Sequence, residues 1–288
     1  MLRLRAVADL AAYAAVARPF LVAQGEAVHS LALGVLSRVE AGEYADARFW
    51  VVEDDEDGAV AGVVQRTPPR PWLVALSPAQ DPRDLADAIA VTFAGEGLPR
   101  DLVGEAALTE GLARELAACA GVGAEQVMCL PVLACERVEA APSPPAGRVR
   151  AARPEDLTVL VRFAVAFQQE AMPRAELDVD ALREGLVRRL AGRHGLWVFE
   201  RPDGTVVSMA EADAETPDGQ RVSAVYTPPA HRGRGYAGAT VTAVTRDVLR
   251  RRRFAFLNTD AANPTSNALY ERLGYRVVGE QAHWRLAV

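Results

Sequence analysis

Gly233 and Gly235 flank Arg234 in the run His231-Arg232-Gly233-Arg234-Gly235-Tyr236-Ala237, and residue types in that order suit the capture of an anion. Upstream, Gln220 to Thr227 alternates polar with β-branched or aromatic residues, then meets Pro228-Pro229. Proline cannot donate into a ladder, so a strand stops there. Downstream, Val241, Val244, Val248 and Leu249 recur at helical spacing. The glycines therefore lie where a strand gives way to a helix. The first turn of a helix has amide hydrogens without intrahelical partners and carries the positive end of the macrodipole. Glycine lets a phosphate approach that backbone closely. The same pair reads equally well as a tight turn, and spacing alone leaves both open. The Gly-Lys-Ser/Thr phosphate loop is excluded, because the chain contains no lysine.

A second constellation lies near the C-terminus, in Asp260-Ala-Ala-Asn263-Pro264-Thr-Ser266-Asn267-Ala-Leu-Tyr270-Glu-Arg-Leu-Gly274-Tyr275. Asn263 followed by Pro264 reads as a helix N-cap with proline at the first helical position, and Gly274 as its close. Asn263, Ser266 or Asn267, and Tyr270 then share one helical face. On an arbitrary helix, such a polar face is a solvated surface.

Together the two segments resemble the GNAT superfamily of acetyltransferases, whose pyrophosphate loop reads Arg/Gln-x-x-Gly-x-Gly/Ala; Arg232, Gly235 and Ala237 stand in the matching places. The resemblance runs from Arg148 to Val288 in strand and helix order. It implies that the segment Arg232, Gly233, Arg234, Gly235, Tyr236 and Ala237 holds the pyrophosphate of acetyl-CoA. Val225, Tyr226 and Thr227 would pair with the pantetheine arm like an added strand. Asn263, Ser266 and Asn267 would contact the cofactor. Tyr270 matches the tyrosine that protonates the departing coenzyme A thiolate, and it would belong to the same cofactor-binding set. The implied chemistry is direct transfer of an acetyl group to a primary amine, without a metal.

The general base is less determined. Glu211, Asp213 and Glu215 alternate along one strand just before the loop strand, and Glu211 and Glu215 are the leading candidates. Glu170 and His283 are further possibilities. Each reads more readily as a solvated side chain or an ion-pair partner, and deprotonation through water without a dedicated base is an open alternative. Three cysteines (Cys119, Cys129 and Cys135) all precede this half, which disfavours an acyl-cysteine route. A coenzyme A-binding sensor without turnover is the rival reading.

The elements that must position these residues divide the chain in two. Residues 1–139 carry a strand, two helices, three strands, two helices and a strand. A proline-rich linker spans 140–147, and 148–288 repeats the plan. Arg3, Asp9, Leu10, Phe20, Trp50, Val51 and Glu53 recur as Arg150, Asp156, Leu157, Phe167, Trp197, Val198 and Glu200, all 147 residues on, which suggests a duplicated fold. The expected class is α/β: two GNAT-like domains in tandem, each a mixed, mostly antiparallel sheet flanked by helices. The first copy lacks the glycine loop. Ser77-Pro-Ala-Gln-Asp-Pro-Arg-Asp84 occupies that place, with two prolines that remove donors and acids that repel a diphosphate. It is expected to be a degenerate copy with no cofactor.

Composition sets the outer limits. Half the residues are hydrophobic, about a quarter are charged, and the net charge is −6, which argues against a general nucleic-acid binder. Arg250 to Arg253 reads as a solvated helix end. No apolar run is long enough to span a membrane, and Asp9 and Arg18 interrupt the alanine-rich N-terminal stretch where a signal peptide would be uncharged. The expectation is a cytoplasmic monomer or homodimer acting on a small-molecule or peptide amine, with no nucleic-acid or membrane partner.

Overall fold

The computed structural model describes residues 1–40, 42, 46–139, 145–171, 177–191, 195–261 and 263–287. The proline-rich stretch 140–144 lies outside them. Two compact units result: Met1–Val132 with Thr259–Ala262 and Val277–Val288, and Leu133–Asn258 with Asn263–Arg276.

In the first unit, β1 (Leu2–Ala6), β2 (Arg48–Asp54), β3 (Val60–Arg66) and β4 (Trp72–Leu76) pair antiparallel in that order. β5 (Asp101–Glu105) joins β4 in parallel. Phe49 and Val51 point to one face of β2 and meet Tyr13, Leu21, Leu33 and Leu36 of α1 (Leu10–Ala23) and α2 (Ser30–Glu40). Trp50 and Val52 point the other way, to Leu85 and Ile89 of α3 (Pro82–Thr92) and Leu112 and Leu116 of α4 (Ala106–Ala120). Strand periodicity thus buries both faces of the sheet. β5 carries little local signal, because its five residues ending in Gly104-Glu105 hold only two apolar side chains.

In the second unit, β7 (Arg148–Ala151), β8 (Leu196–Glu200), β9 (Val206–Glu215) and β10 (Gly219–Tyr226) are antiparallel neighbours, and β11 (Phe254–Asn258) runs parallel to β10. α5 (Leu157–Ala171) and α6 (Val179–Ala191) cover Val198, Met209 and Tyr226 on one face. α7 (Tyr236–Leu249) and α8 (Pro264–Arg272) cover Ala210, Val222 and Leu257 on the other. The expected class, a mixed, mostly antiparallel sheet flanked by helices and present twice, is borne out.

The 147-residue echo is physical as well as numerical. Arg3 meets Glu53 at 3.0 Å in one unit and Arg150 meets Glu200 at 2.6 Å in the other. Asp9 caps α1 through the Ala11 amide, and Asp156 accepts from the Arg153 amide just before α5.

The units are interleaved along the chain. β12 (Arg276–Ala287) pairs antiparallel with β5, from Gln281 opposite Glu105 to Arg285 opposite Asp101. Its Ala282, Trp284 and Leu286 complete the first unit's core. β6 (Gly123–Cys135) ends with Leu133 and Cys135 in the second unit's core. The chain first passes from one compact unit to the other between Val132 and Leu133, and β12 returns it to the first.

Candidate active site

β9 and β10 fall out of register where the site begins. Ser223 lies opposite Glu211, but the next matched pair is Tyr226 with Met209, so Ala224 and Val225 bulge out of register. Ala224 takes φ 48°, a backbone conformation that side chains other than glycine seldom adopt. On its other side β10 is in register with β11 only from Gly219 to Arg221. Ser208, fully buried on β9, donates its hydroxyl to the Tyr226 carbonyl at 3.2 Å and accepts from the Thr227 hydroxyl at 3.0 Å. That pair of bonds sets where the strand ends.

Beyond Pro228, a single 3-10 turn (Pro229–His231) leads into the glycine run. Gly233 and Gly235 have φ 75° and 80°, both left-handed, where a Cβ would be strained. Gly235 is the N-cap of α7 and supplies no side-chain cap, so the donors of the first turn meet no capping group. Tyr236 anchors the helix start by burying its ring against Phe199, with centroids 4.9 Å apart. The result is a turn of outward-facing donors held by a buried ring. A pyrophosphate fits that arrangement. Gly238 also completes a Gly-x-Gly-x-x-Gly spacing with the same two glycines. The antiparallel strands beside β10 exclude the all-parallel sheet in which that spacing binds dinucleotides.

The corresponding junction in the first unit is built differently. Asp81 caps α3 by accepting from the Arg83 amide at 2.9 Å, Pro82 has no donor, and the Asp84 amide bonds the Asp81 carbonyl at 3.1 Å. The donors left open at α7 are here consumed or missing.

Two arginines of the loop behave unlike each other. Arg232 folds back: its guanidinium donates to Thr227 O at 2.9 Å and to Glu170 Oε2 at 2.6 Å, and lies 5.7 Å from the centre of the Tyr226 ring. The Tyr226 hydroxyl donates to the other Glu170 oxygen at 3.0 Å. Burial, with the Glu170 carboxylate next, raises the Tyr226 pKa, so the phenol remains a donor. Glu170 on α5 thus holds the end of β10 and the start of the loop together. Arg234 is exposed between the two glycines.

Of the carboxylates on β9, the structure brings Glu211 to the bulge. It is only 3% exposed and lies 2.5 Å from Arg189 of α6. Burial raises its pKa, and the neighbouring Arg189 offsets part of that rise. Asp213 makes a two-pronged bond to Arg221 at 2.8 Å. Ala214, at φ 38°, breaks the strand alternation before Glu215. Glu215 then meets Arg252 at 2.6 Å and Arg251 at 3.8 Å, near the end of β10 that is away from the loop. It is not gathered with Glu211. His283 lies on β12 in the first unit, 2.7 Å from Asp101.

On α8, Asn263 is the N-cap and its side chain accepts from the Ser266 amide at 3.1 Å. Asn263 is exposed, Ser266 and Asn267 are half-buried, and Tyr270 turns into the core. The Tyr270 ring meets Tyr275 edge-on at 5.9 Å, and burial pushes its pKa up to about 12. Residues Glu170, Ser208 and Arg189 carry much of this geometry. Glu170 is among the candidates the sequence offers; Ser208 and Arg189 act through partners 18 and 22 positions away, and no local pattern marks them.

Comparison with known proteins agrees with this architecture. Residues 202–285, which hold the β9–β10 hairpin, the glycine run and α8, match the family model described as FR47-like protein. A GCN5-related N-acetyltransferase from Sphaerobacter thermophilus is similar at TM-score 0.63 and 19% identity, over 99% of this chain and 95% of the other. A GNAT-family acetyltransferase from Colwellia psychrerythraea gives 0.58 and 12%, over 99% of each chain. A tandem GNAT protein from the clavulanic acid biosynthesis pathway gives 0.58 and 13%, over 99% and 97%. No curated protein matches the sequence. The fold is that of the GNAT acetyltransferases, in tandem. Within it, the glycine run and its flanking elements form the FR47-like stretch.

Proposed function

We propose that the protein is an acetyl-CoA-dependent N-acyltransferase that transfers an acetyl group directly to a primary amine, and that the second unit performs the reaction. The observation that carries this reading is the uncapped, left-handed glycine turn at the start of α7, next to a bulged strand end. Backbone donors from Gly233 to Ala237, with Arg234 beside them, would hold the pyrophosphate. The ladder groups of Val225 to Thr227 would align the pantetheine arm, and an amide at the bulge would face the thioester oxygen as charge builds on it. Glu211, buried beside the bulge with a raised pKa, would take the proton that the ammonium must lose. Tyr270 would supply a proton to the departing sulfur, and Asn263, Ser266 and Asn267 would line the cofactor side of α8. The consumed donors at α3 support a first copy without a cofactor of its own.

No helix among the described residues is long and apolar enough to cross a membrane. A cytoplasmic protein acting on a small-molecule or peptide amine, as a monomer or homodimer, fits this proposal.

The test is coenzyme A release from acetyl-CoA across amino acids, polyamines, aminoglycosides and peptide N-termini, with calorimetry of acetyl-CoA binding alongside. Binding with turnover of one acceptor class is expected. Binding without turnover on the whole panel would favour a coenzyme A sensor, and absence of binding would overturn both.

A further inference from the structure

Glu211 lies at the edge of the β9–β10 bulge. Ser223, its cross-strand neighbour, is the last residue of β10 in register before Ala224 and Val225. An acceptor nitrogen that reaches Glu211 is therefore beside the strand end that the transferase reading gives to the thioester. Yet the carboxylate is covered. Its side chain is 4% exposed, whereas that of Arg189, bonded to it at 2.5 Å, is 44% exposed. An incoming ligand meets the guanidinium before it meets the acid.

α6 fixes where Arg189 sits. Its Nε donates to the Gly185 carbonyl, one helical turn back, at 3.1 Å. A Cβ at Gly185 would lie 3.1 Å from Arg189 Nη2, so the missing side chain leaves room for the guanidinium to lie along the helix and reach β9. Glycine inside a helix is disfavoured against alanine, and this contact gives the position a reason. Asp213, two residues along the same face of β9, is held at two points by Arg221 at 2.8 Å. The two acids belong to separate ion pairs, and Arg189 with Glu211 is the pair at the bulge.

Charge then selects among acceptors. A simple alkylamine arrives as a cation, and here it adds a second cation to a carboxylate that already faces one. An α-amino acid brings its own anion on the adjacent carbon. With its carboxylate on Arg189 and its ammonium on Glu211, the four charges alternate around a closed ring, and each meets two of opposite sign. The guanidinium is a planar fork suited to a carboxylate. The single carbon between the amino acid's two groups matches an arginine and a glutamate already in contact. An amide in place of the carboxylate forfeits the charge-assisted bond to Arg189.

We propose that the acceptor is a free α-amino acid, whose carboxylate is recognised by Arg189 while its amine is presented to Glu211. The proposal rests on the transferase reading of the second unit and narrows its acceptor from amines in general to one class. Arg189 determines specificity in it, and Gly185 positions Arg189.

Matched probes test this on the full chain: α-amino acids, their amides and their decarboxylated amines. Each is measured by calorimetry with coenzyme A present and by coenzyme A release from acetyl-CoA. The preferred amino acid should bind roughly tenfold or more tighter than its amide or amine, as loss of a charge-assisted bond implies. The ratio of kcat/KM values should favour it likewise. Arg189→Gln should remove most of that preference by weakening the amino acid and not the amide, and Arg189→Lys should restore part of it. Comparing the ratio between parent and variant cancels the differing basicities of the amines. Amides or amines that bind as well as the amino acids, a panel in which nothing binds, or a preference that survives Arg189→Gln would overturn the proposal. Coenzyme A release without the preference removes this acceptor class and leaves the transferase. The preference without release upholds the recognition and removes the transferase.

Discussion

Arg189 of α6 donates to Glu211 of β9 at 2.5 Å, and places a cation against a carboxylate that is otherwise enclosed. Burial disfavours the charged carboxylate and the arginine favours it; the net shift of the Glu211 pKa is upward. A base must be deprotonated to act, so activity should rise with pH along a limb that lies above the ordinary glutamate range. Arg189→Gln removes the compensating charge and should move that limb further to alkaline pH. Glu211→Gln should abolish the limb and lower kcat by about 10² to 10⁴, the usual worth of a positioned base. The pH profile of kcat/KM measures all three. A limb unchanged in Arg189→Gln would remove Glu211 from the role.

The glycine turn can be separated from backbone strain in general. Gly235 and Gly204 both adopt φ near 80°, one at the start of α7 and the other in the hairpin between β8 and β9. Alanine at either should cost about 1 to 3 kcal/mol of stability, since the strain is alike. Only Gly235→Ala should weaken acetyl-CoA binding, by tenfold or more in calorimetry. Equal affinity in the two variants would detach the turn from the cofactor.

Arg232 and Arg234 should fail in different ways. Arg232 is tied to Glu170 and to its own strand, so its loss should act by loosening the loop. Arg232→Gln and Glu170→Gln should therefore be non-additive in acetyl-CoA affinity, as contacting residues are. Arg234 is exposed, and Arg234→Gln should weaken binding several-fold at low salt and less as salt screens the charge. Calorimetry at two ionic strengths distinguishes them.

Tyr270→Phe keeps the ring against Tyr275 and removes only the hydroxyl. Thermal stability and the KM for acetyl-CoA should hardly change, while kcat should fall about 10². With a pKa near 12 the phenol is protonated throughout the working range, so no alkaline limb from Tyr270 is expected below that pH. An unaltered kcat would remove the acid role.

Asp156 offers a stability test away from the chemistry. Burial pushes its pKa up, but bonds from Arg150 and the Arg153 amide outweigh that, and the net shift is down. A depressed carboxylate contributes stability above its unfolded pKa of about 3.9, and the contribution is lost as pH falls through the folded value. Asp156→Asn should cost about 3 kcal/mol near neutral pH by breaking a largely buried pair. The gap from the parent protein in urea denaturation should narrow below about pH 4.

Much of this was legible along the chain. The strand that stops at Pro228, the helix that starts after Gly235, and the cap at Asn263 are written in contiguous residues, because periodicity and capping act over a single turn. The duplication was legible too, since Arg3 with Glu53 and Arg150 with Glu200 recur at one offset and form the same bond in each unit.

Other features depended on which distant residues the sheets brought together. β12 completes the first core because Ala282, Trp284 and Leu286 find room beside β5, and no local signal names that partner. Glu211 and Glu215 look equivalent in sequence. A left-handed Ala214 and the reach of Arg189 and Arg252 send one to the bulge and the other to the far end of β10. Local chemistry is carried by neighbours in sequence, whereas the choice among similar charges is made by neighbours in space.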